Sequence, residues 1–243
     1  DFNNPRLFRY RLPGVPRSER VAAELRAALK DPFDAPYIPG SSLKGALRTA
    51  LAWTAVRDSG QPITPRDLGR QGAWAAQPIE REIFGRDPNH DLLRALKVGD
   101  LRGTARAGEG LRVINAEART VRGGGAPISL EAIRSDQVYR GQMVIDEHLF
   151  SAQAESALHF RDRRAWLDQL AARVQAHSRL RLEALIDFFE RAEGGAAIAD
   201  FYRKLLRQTD RPGAMLVQLG WGGGWDSKTF GSHLSRDRET FEQ

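Results

Sequence analysis

Tyr37-Ile38-Pro39-Gly40-Ser41-Ser42-Leu43-Lys44-Gly45-Ala46-Leu47-Arg48-Thr49-Ala50-Leu51 places an extended step, a turn and a basic helix face in immediate succession. Pro39 holds Ile38 extended, and Ser41 or Ser42 can cap a helix that follows. From about Ser41 to Arg57 the apolar residues Leu43, Ala46, Leu47, Ala50, Leu51 and Val56 recur at helical spacing. Free amides and the helix dipole at such an N-terminus favour an anion. Lys44 and Arg48, at i and i+4, share one face near that end. Gly40, Ser41, Ser42, Lys44, Gly45 and Arg48 are therefore candidates for holding a phosphate backbone, although a capped amphipathic helix with cations in water accounts for the same residues. Inside a helix, glycine costs roughly 1 kcal/mol relative to alanine, so Gly45 predicts close approach of another backbone.

A second stretch, Gly220-Trp221-Gly222-Gly223-Gly224-Trp225-Asp226-Ser227-Lys228-Thr229-Phe230-Gly231, follows a run that alternates like a strand, Met215–Leu219. Clustered glycines let backbone amides approach a phosphate, and Lys228 adds a point charge. Trp221 and Trp225 can stack on bases or cover a sheet. Gly220, Gly222, Gly223, Gly224 and Thr229 complete this second set of candidates. The stretch comes within one residue of a nucleotide-binding P-loop, but Ser227 stands where the glycine before lysine is required. The short remainder Phe230–Gln243 also leaves little room for the helix and strands that follow such a loop, which argues against NTPase activity.

Working outward, the pattern predicts helices over Ser18–Lys30 (Val21, Leu25, Ala28, Leu29), Glu80–Phe84, Asp91–Leu96, Arg163–Arg191 and Ala196–Arg207. Strands are predicted over Lys97–Leu101, Leu111–Val121 and Tyr139–Glu147, with Arg122–Gly125 as a loop or hairpin tip. This mixture is an α+β class. Residues 1–135 and 136–243 are the expected modules, one carrying each motif.

Over 243 residues, 41% are hydrophobic and 28% charged, the balance of an ordinary soluble chain, and no apolar run approaches the ~18 residues of a membrane span. The absence of cysteine removes disulfides, thiolate zinc sites and cysteine nucleophiles. With no signal-peptide pattern at the start, a cytoplasmic location is expected, though the first residue is Asp1 and not Met. A net charge of +6 and a pI near 10.0, carried mostly by arginine, favour an anionic partner such as nucleic acid. Arginine-rich codon usage explains the same excess.

Together the Ile-Pro-Gly-Ser-Ser-Leu-Lys-Gly element and the C-terminal Leu-Gly-Trp-Gly-Gly-Gly-Trp-x-Ser-Lys-Thr element resemble the signature pair of the RAMP superfamily of CRISPR proteins. Ala46-Leu47-Arg48-Thr49-Ala50-Leu51 is most similar to the family of fifth Csm subunits of type III-A complexes, and Arg134–Glu147 resembles the stretch before that family's second-domain strands. The resemblance implies two ferredoxin-like (RRM-like) modules. It also implies binding of crRNA near its 3′ end, proximity to target single-stranded RNA, and packing on the backbone RAMP subunit among other Csm subunits. No cofactor is implied. Family members open with an apolar strand and a glycine-containing turn, and no such segment precedes Asp1, so the first strand is expected to be missing or atypical.

The alternative is a RAMP endoribonuclease acting on crRNA precursor or target RNA. The histidines His90, His148, His159, His177 and His233 lack metal-ligand spacing. His148 beside Asp146 and Glu147 allows an acid–base pair, and Asp100 allows an RNA- or metal-orienting acid, but a strand-end histidine and a turn aspartate explain them as well. No catalytic residue and no metal ligand is assigned.

Overall fold

The computed structural model describes residues 4–17, 24–60, 63, 64, 67, 77–125 and 127–236. Its elements, in chain order, are β1 (Tyr37–Ile38), α1 (Gly40–Ser59), α2 (Gln77–Phe84), β2 (Leu96–Val98), β3 (Leu101–Arg102), β4 (Leu111–Ala116) and β5 (Arg119–Thr120). They continue as β6 (Gly123–Gly124), β7 (Ile128–Ile133), β8 (Met143–Ile145), α3 (Ala152–Leu158), α4 (Arg164–Asp168), α5 (Leu170–Arg191) and α6 (Ala196–Leu206). Strands pair antiparallel as β1–β3, β2–β8, β4–β7 and β5–β6, giving a mixed helix and strand fold. Among the described residues no helix is long and apolar enough to cross a membrane.

Two compact units interleave along the chain. Asp1–Ser41, Gly99–Gln142 and Arg191–Gly194 form one, and Ser42–Val98, Met143–Glu190 and Gly195–Gln243 the other. The chain leaves the larger unit at Val98 and re-enters it at Met143.

In the smaller unit the long hairpin β4–β7 pairs Leu111 with Ile133, Val113 with Glu131 and Asn115 with Ser129. Strand alternation puts these residues on one face, of which Leu111, Val113, Ser129 and Glu131 are buried. The N-terminal chain lines both edges of the hairpin. On the β4 side the Val113 amide donates to the Pro13 carbonyl (2.8 Å) and Asn115 Nδ2 to the Val15 carbonyl (2.9 Å). On the β7 side Arg26 bridges Leu130 in parallel, and Lys30 pairs closely with the buried Glu131 carboxylate. Glu131 also accepts from Tyr10 Oη (2.9 Å) and the Ala28 amide (2.9 Å), so the buried charge is fully hydrogen-bonded. These partners hold its carboxyl below its ordinary pKa against the opposing effect of burial.

The helix expected over Ser18–Lys30 is corrected by this arrangement. Ser18 to Ala23 lie outside the described residues, and Glu24–Lys30 is extended. Leu25 and Leu29 are exposed, so the helical spacing had no apolar surface to bury, and the backbone of Arg26 joins the β7 edge instead.

α1 is the centre of the larger unit. Every residue from Ala50 to Val56 is buried, so the helix is enclosed on all sides rather than along one stripe. Around it pack Ile83 and Phe84 of α2, Leu92, Leu93, Ala95 and Leu96, Phe160, Leu167 of α4, Leu170 and Val174 of α5, and Phe230. Buried Thr54 is satisfied within the helix by the Ala50 and Leu51 carbonyls and accepts from Arg173 Nη1 (3.1 Å), which also meets Asp58 (3.0 Å). Trp53 Nε1 donates to Ser232 Oγ (2.9 Å), and its ring stacks on His233 at 5.0 Å and tilts against His177 at 5.6 Å.

Other boundaries shift for local reasons. Lys97–Leu101 is interrupted at Gly99-Asp100 into β2 and β3, Tyr139–Glu147 reduces to β8 at its centre, and the long helix breaks at Gln169 into α4 and α5. Met215–Leu219 lies outside any sheet among the described residues, against expectation. α5 side chains hold it in place of a neighbouring strand: Ser178 Oγ donates to the Leu216 carbonyl and Gln175 Nε2 to that of Ala214 just before the segment (2.7 Å), while Met215 and Val217 pack on the core. The alternation therefore reflects one buried side of an extended segment.

Two measurements test this packing. Burial, reinforced by Arg181 and His233, pulls the His177 pKa down to about 4, and its Nε2 has no hydrogen-bond partner among the described residues. Above the unfolded value near 6.5 the ring is neutral in both states, so its contribution is fully present; as pH falls towards 4 only the unfolded chain takes up a proton. Stability is expected to drop by on the order of 3 kcal/mol across that window, and His177→Phe, which keeps the ring against Trp53, is expected to flatten this part of the pH profile of chemical denaturation. Separately, a Cβ on Gly231 would lie 1.8 Å from the Trp225 ring. Gly231→Ala is expected to lower the melting temperature and shift the tryptophan emission, since overpacking costs about 1–3 kcal/mol.

Candidate nucleic-acid interface

The first turns of α1 are built from both local and distant groups. Gly40 is already helical and buried, and its amide donates to Asp100 Oδ1 (2.9 Å), a carboxylate sixty residues away in sequence. That contact satisfies one of the orphan donors of the helix start and complements the dipole. It also gives Asp100 a structural task, as the acid at the break between β2 and β3. The exposed Ser41 and Ser42 begin the first turn beside it.

Lys44, Gly45 and Arg48 come together on an open groove of about 570 Å³, walled by Gln77, Glu80 and Arg81 of α2 and by residues from Gly85 to Arg94. Arg48 does not face water freely. Its Nη1 pairs with Asp91 (2.6 Å), its Nη2 with Glu80 (3.1 Å), and its guanidinium lies 3.9 Å from the centroid of the Phe84 ring. This cation–π contact and double ion pair tie α1 to α2 and to the 3-10 turn Leu92–Ala95. Burial draws the Lys44 ammonium below its ordinary pKa; Asp91 opposes that shift and Arg48 adds to it. An anion entering the groove would relieve part of that penalty. A Cβ at Gly45 would meet nothing within 4 Å, so within the described residues no other backbone approaches it, contrary to the expectation from its helix cost.

The groove also carries Arg81, Arg86 and Arg94, which the sequence reading did not single out. Their only signal was the density of arginine in and between the short helices expected at Glu80–Phe84 and Asp91–Leu96.

The glycine-rich segment forms a separate surface. Gly220, Gly222 and Gly224 have positive φ of 84°, 88° and 72°, a left-handed conformation that suits glycine. Gly223 packs so closely on Ser227 that a Cβ would lie 2.3 Å from its Oγ. Trp221 and Trp225 are half exposed, Lys228 is exposed, and Thr229 Oγ1 accepts from the Gly231 amide (3.2 Å). Arg181 of α5 steadies the turn through Gln218 Oε1 and the Gly223 carbonyl (both 3.3 Å). The cationic groove contains no residue of this turn; Ser227 instead lines a mostly apolar cavity of about 240 Å³ with Ala46 and Ala50 of α1. The two motifs meet behind these surfaces, where Phe230, Ser232 and His233 pack on α1 at Trp53.

The acids available for cleavage chemistry are engaged elsewhere. Asp146 pairs with Lys97 (2.7 Å), Glu147 with Arg164 (2.6 Å), and Asp100 with Gly40. Among the described residues no three metal-ligating side chains cluster.

The sequence matches no curated protein. Among solved structures, a chain of the Csm–crRNA–target RNA ternary complex of a type III-A CRISPR-Cas system, determined by cryo-EM, superposes with a TM-score of 0.68 at 21% identity, over 91% of this chain and 67% of its own. The crystal structure of T. onnurineus Csm5 superposes with a TM-score of 0.66 at 23% identity, over 90% of this chain and 69% of its own. These are likenesses of fold. The model of the RAMP superfamily matches residues 19–225, most of the chain, and the protein belongs to that superfamily.

Proposed function

We propose that this RAMP protein is the crRNA-binding capping subunit of a type III-A Csm antiviral effector complex, a cytoplasmic assembly in which it holds the 3′ part of the crRNA, packs on the backbone RAMP subunit and lies beside target single-stranded RNA. The observation that carries this reading is the fold likeness, over about nine-tenths of the chain, to a subunit of a crRNA–target complex and to Csm5. The positive net charge and the cation-lined groove beside α1 support it.

In this reading the chain comprises two ferredoxin-like modules, for which the antiparallel strand pairs and packed helices are the available support. Ser41, Ser42, Lys44 and Gly45 offer hydroxyls, an ammonium and an unobstructed helix surface to the RNA backbone. Arg48 acts mainly by shaping the groove, and Gly40 through its bond to Asp100. Gly220, Trp221, Gly222, Gly223, Gly224, Trp225, Lys228 and Thr229 provide a second contact, with amides and a lysine for phosphate and two half-exposed indoles for stacking. The subunit is read as non-catalytic because Asp100, Asp146 and Glu147 are already committed to structural partners.

Reconstitution of the complex with and without this chain tests the reading. With it, crRNA is expected to co-purify with one defined 3′ boundary and to stay intact in Mg²⁺; without it, the 3′ end is expected to become heterogeneous. RNA cleavage by the purified chain would favour the nuclease alternative. Lys44→Ala is expected to loosen retention of the crRNA 3′ end at unchanged melting temperature. Arg48→Ala is expected to lower the melting temperature as well, because leaving Asp91 and Glu80 without their partner costs about 2 kcal/mol.

A further inference from the structure

Resting on the RNA-binding reading, we propose that the groove between α1 and the α2–Ala95 segment is a sequence-independent track for the phosphates of single-stranded RNA, with Arg81, Arg86 and Arg94 as its principal contacts and Arg48 as a positioning residue. Among the described residues five cations, Lys44, Arg48, Arg81, Arg86 and Arg94, line it against three carboxylates, Glu80, Asp87 and Asp91. All three carboxylates are committed. Glu80 and Asp91 clamp Arg48, and Asp87 accepts from the Asn89 and His90 amides, sits 2.8 Å from His90 Nδ1 and pairs at 3.4 Å with Arg86 Nε, which leaves most of that exposed guanidinium for a phosphate. The cationic excess is therefore directed at whatever enters the groove.

The arginines sit on a rigid frame. Gly85, with φ of 129°, closes the turn after α2 so tightly that a Cβ would lie 1.8 Å from the His90 carbonyl oxygen. Arg94 Nη1 is anchored on the Asn89 carbonyl (2.9 Å), and Arg86 Nη2 lies 2.8 Å from His90 Nε2. Guanidinium groups held this way lose little freedom when they grip a phosphate in bidentate fashion. The open surface at Gly45 lets a bulky backbone lie against α1. Among the described residues Pro88 and Leu93 are the apolar part of the lining, and Leu93 is buried, so these residues offer none of the aromatic or aliphatic anchors on which protein–protein interfaces depend. Among the described residues the groove also presents no aromatic ring to a base, which favours reading of charge over sequence.

The test is fluorescence anisotropy of the full chain with a short labelled oligouridine across a salt series. Arg81→Glu/Arg86→Glu/Arg94→Glu is compared with a control of equal charge change, Arg112→Glu/Arg134→Glu/Arg207→Glu, at residues exposed elsewhere. The groove variant is expected to bind at least about tenfold more weakly and to lose about 2 from the slope of log K against log salt, from ~0.7 per phosphate contact. The control is expected to stay near wild type. Arg81→Glu alone, at an exposed position on α2, guards against misfolding of the triple variant and is expected to lose about 0.7 from that slope. Equal weakening in both triple variants, or unchanged binding by the groove variants while wild type binds, would overturn the track and leave the RNA-binding reading standing. No binding by wild type would overturn both. Displacement of the RNA by polyglutamate at equal charge concentration would also overturn the proposal, by assigning the groove to an acidic protein segment.

Discussion

Enclosure of α1 from Ala50 to Val56 is the constraint on which the larger unit depends. A helix buried on every side cannot be covered by its sequence neighbours, because adjacent elements reach only one or two faces. The cover comes from α2 and the turn that follows it, from α4 and α5, and from Phe230 to His233, more than 170 residues beyond Trp53. The polar groups carried into this core are few. Thr54 is answered within its own helix, Trp53 by Ser232, and His177 remains neutral because no partner compensates its burial.

The same enclosure accounts for the conjunction of the two motifs. The helix that carries Lys44 and Arg48 on one side presents Trp53 on the other, where the C-terminal segment covers it, and the glycine-rich turn delivers that segment. Its glycines therefore answer to packing before any ligand: Gly231 makes room for Trp225, and Gly223 for Ser227. What these constraints leave outward, the indoles of Trp221 and Trp225 and the cation of Lys228, is the part available to a partner.

Charge is arranged on a similar principle. Carboxylates that stand out in the sequence are paired to fix elements in place: Asp100 at the start of α1, Asp91 and Glu80 on Arg48, Asp146 and Glu147 on Lys97 and Arg164, Glu131 on Lys30. With the acids so engaged, the overall positive balance becomes concentrated on surfaces such as the groove beside α1. A net charge of +6 thus acquires a location through the pairing of its opposite.

Taken alone, the sequence determined the features governed by local rules. α1 begins one residue from its expected start because Pro39 and the apolar period dictate it, and α6 lies within a residue of its expected span, while the tip expected at Arg122–Gly125 turns at Val121-Arg122 and its glycines Gly123 and Gly124 form β6. The family was legible for the same reason, since both motifs are contiguous. Tertiary structure alone decided the rest. Leu25 and Leu29 had helical spacing but no surface to bury, Met215–Leu219 had strand alternation but an α5 hydroxyl on its Leu216 carbonyl, and Ile128–Ile133 became a strand by pairing with β4. The role of Arg48 was likewise hidden, because its partners Glu80 and Asp91 lie 32 and 43 residues away, and an ion pair is set by distance in space that periodicity along the chain does not encode.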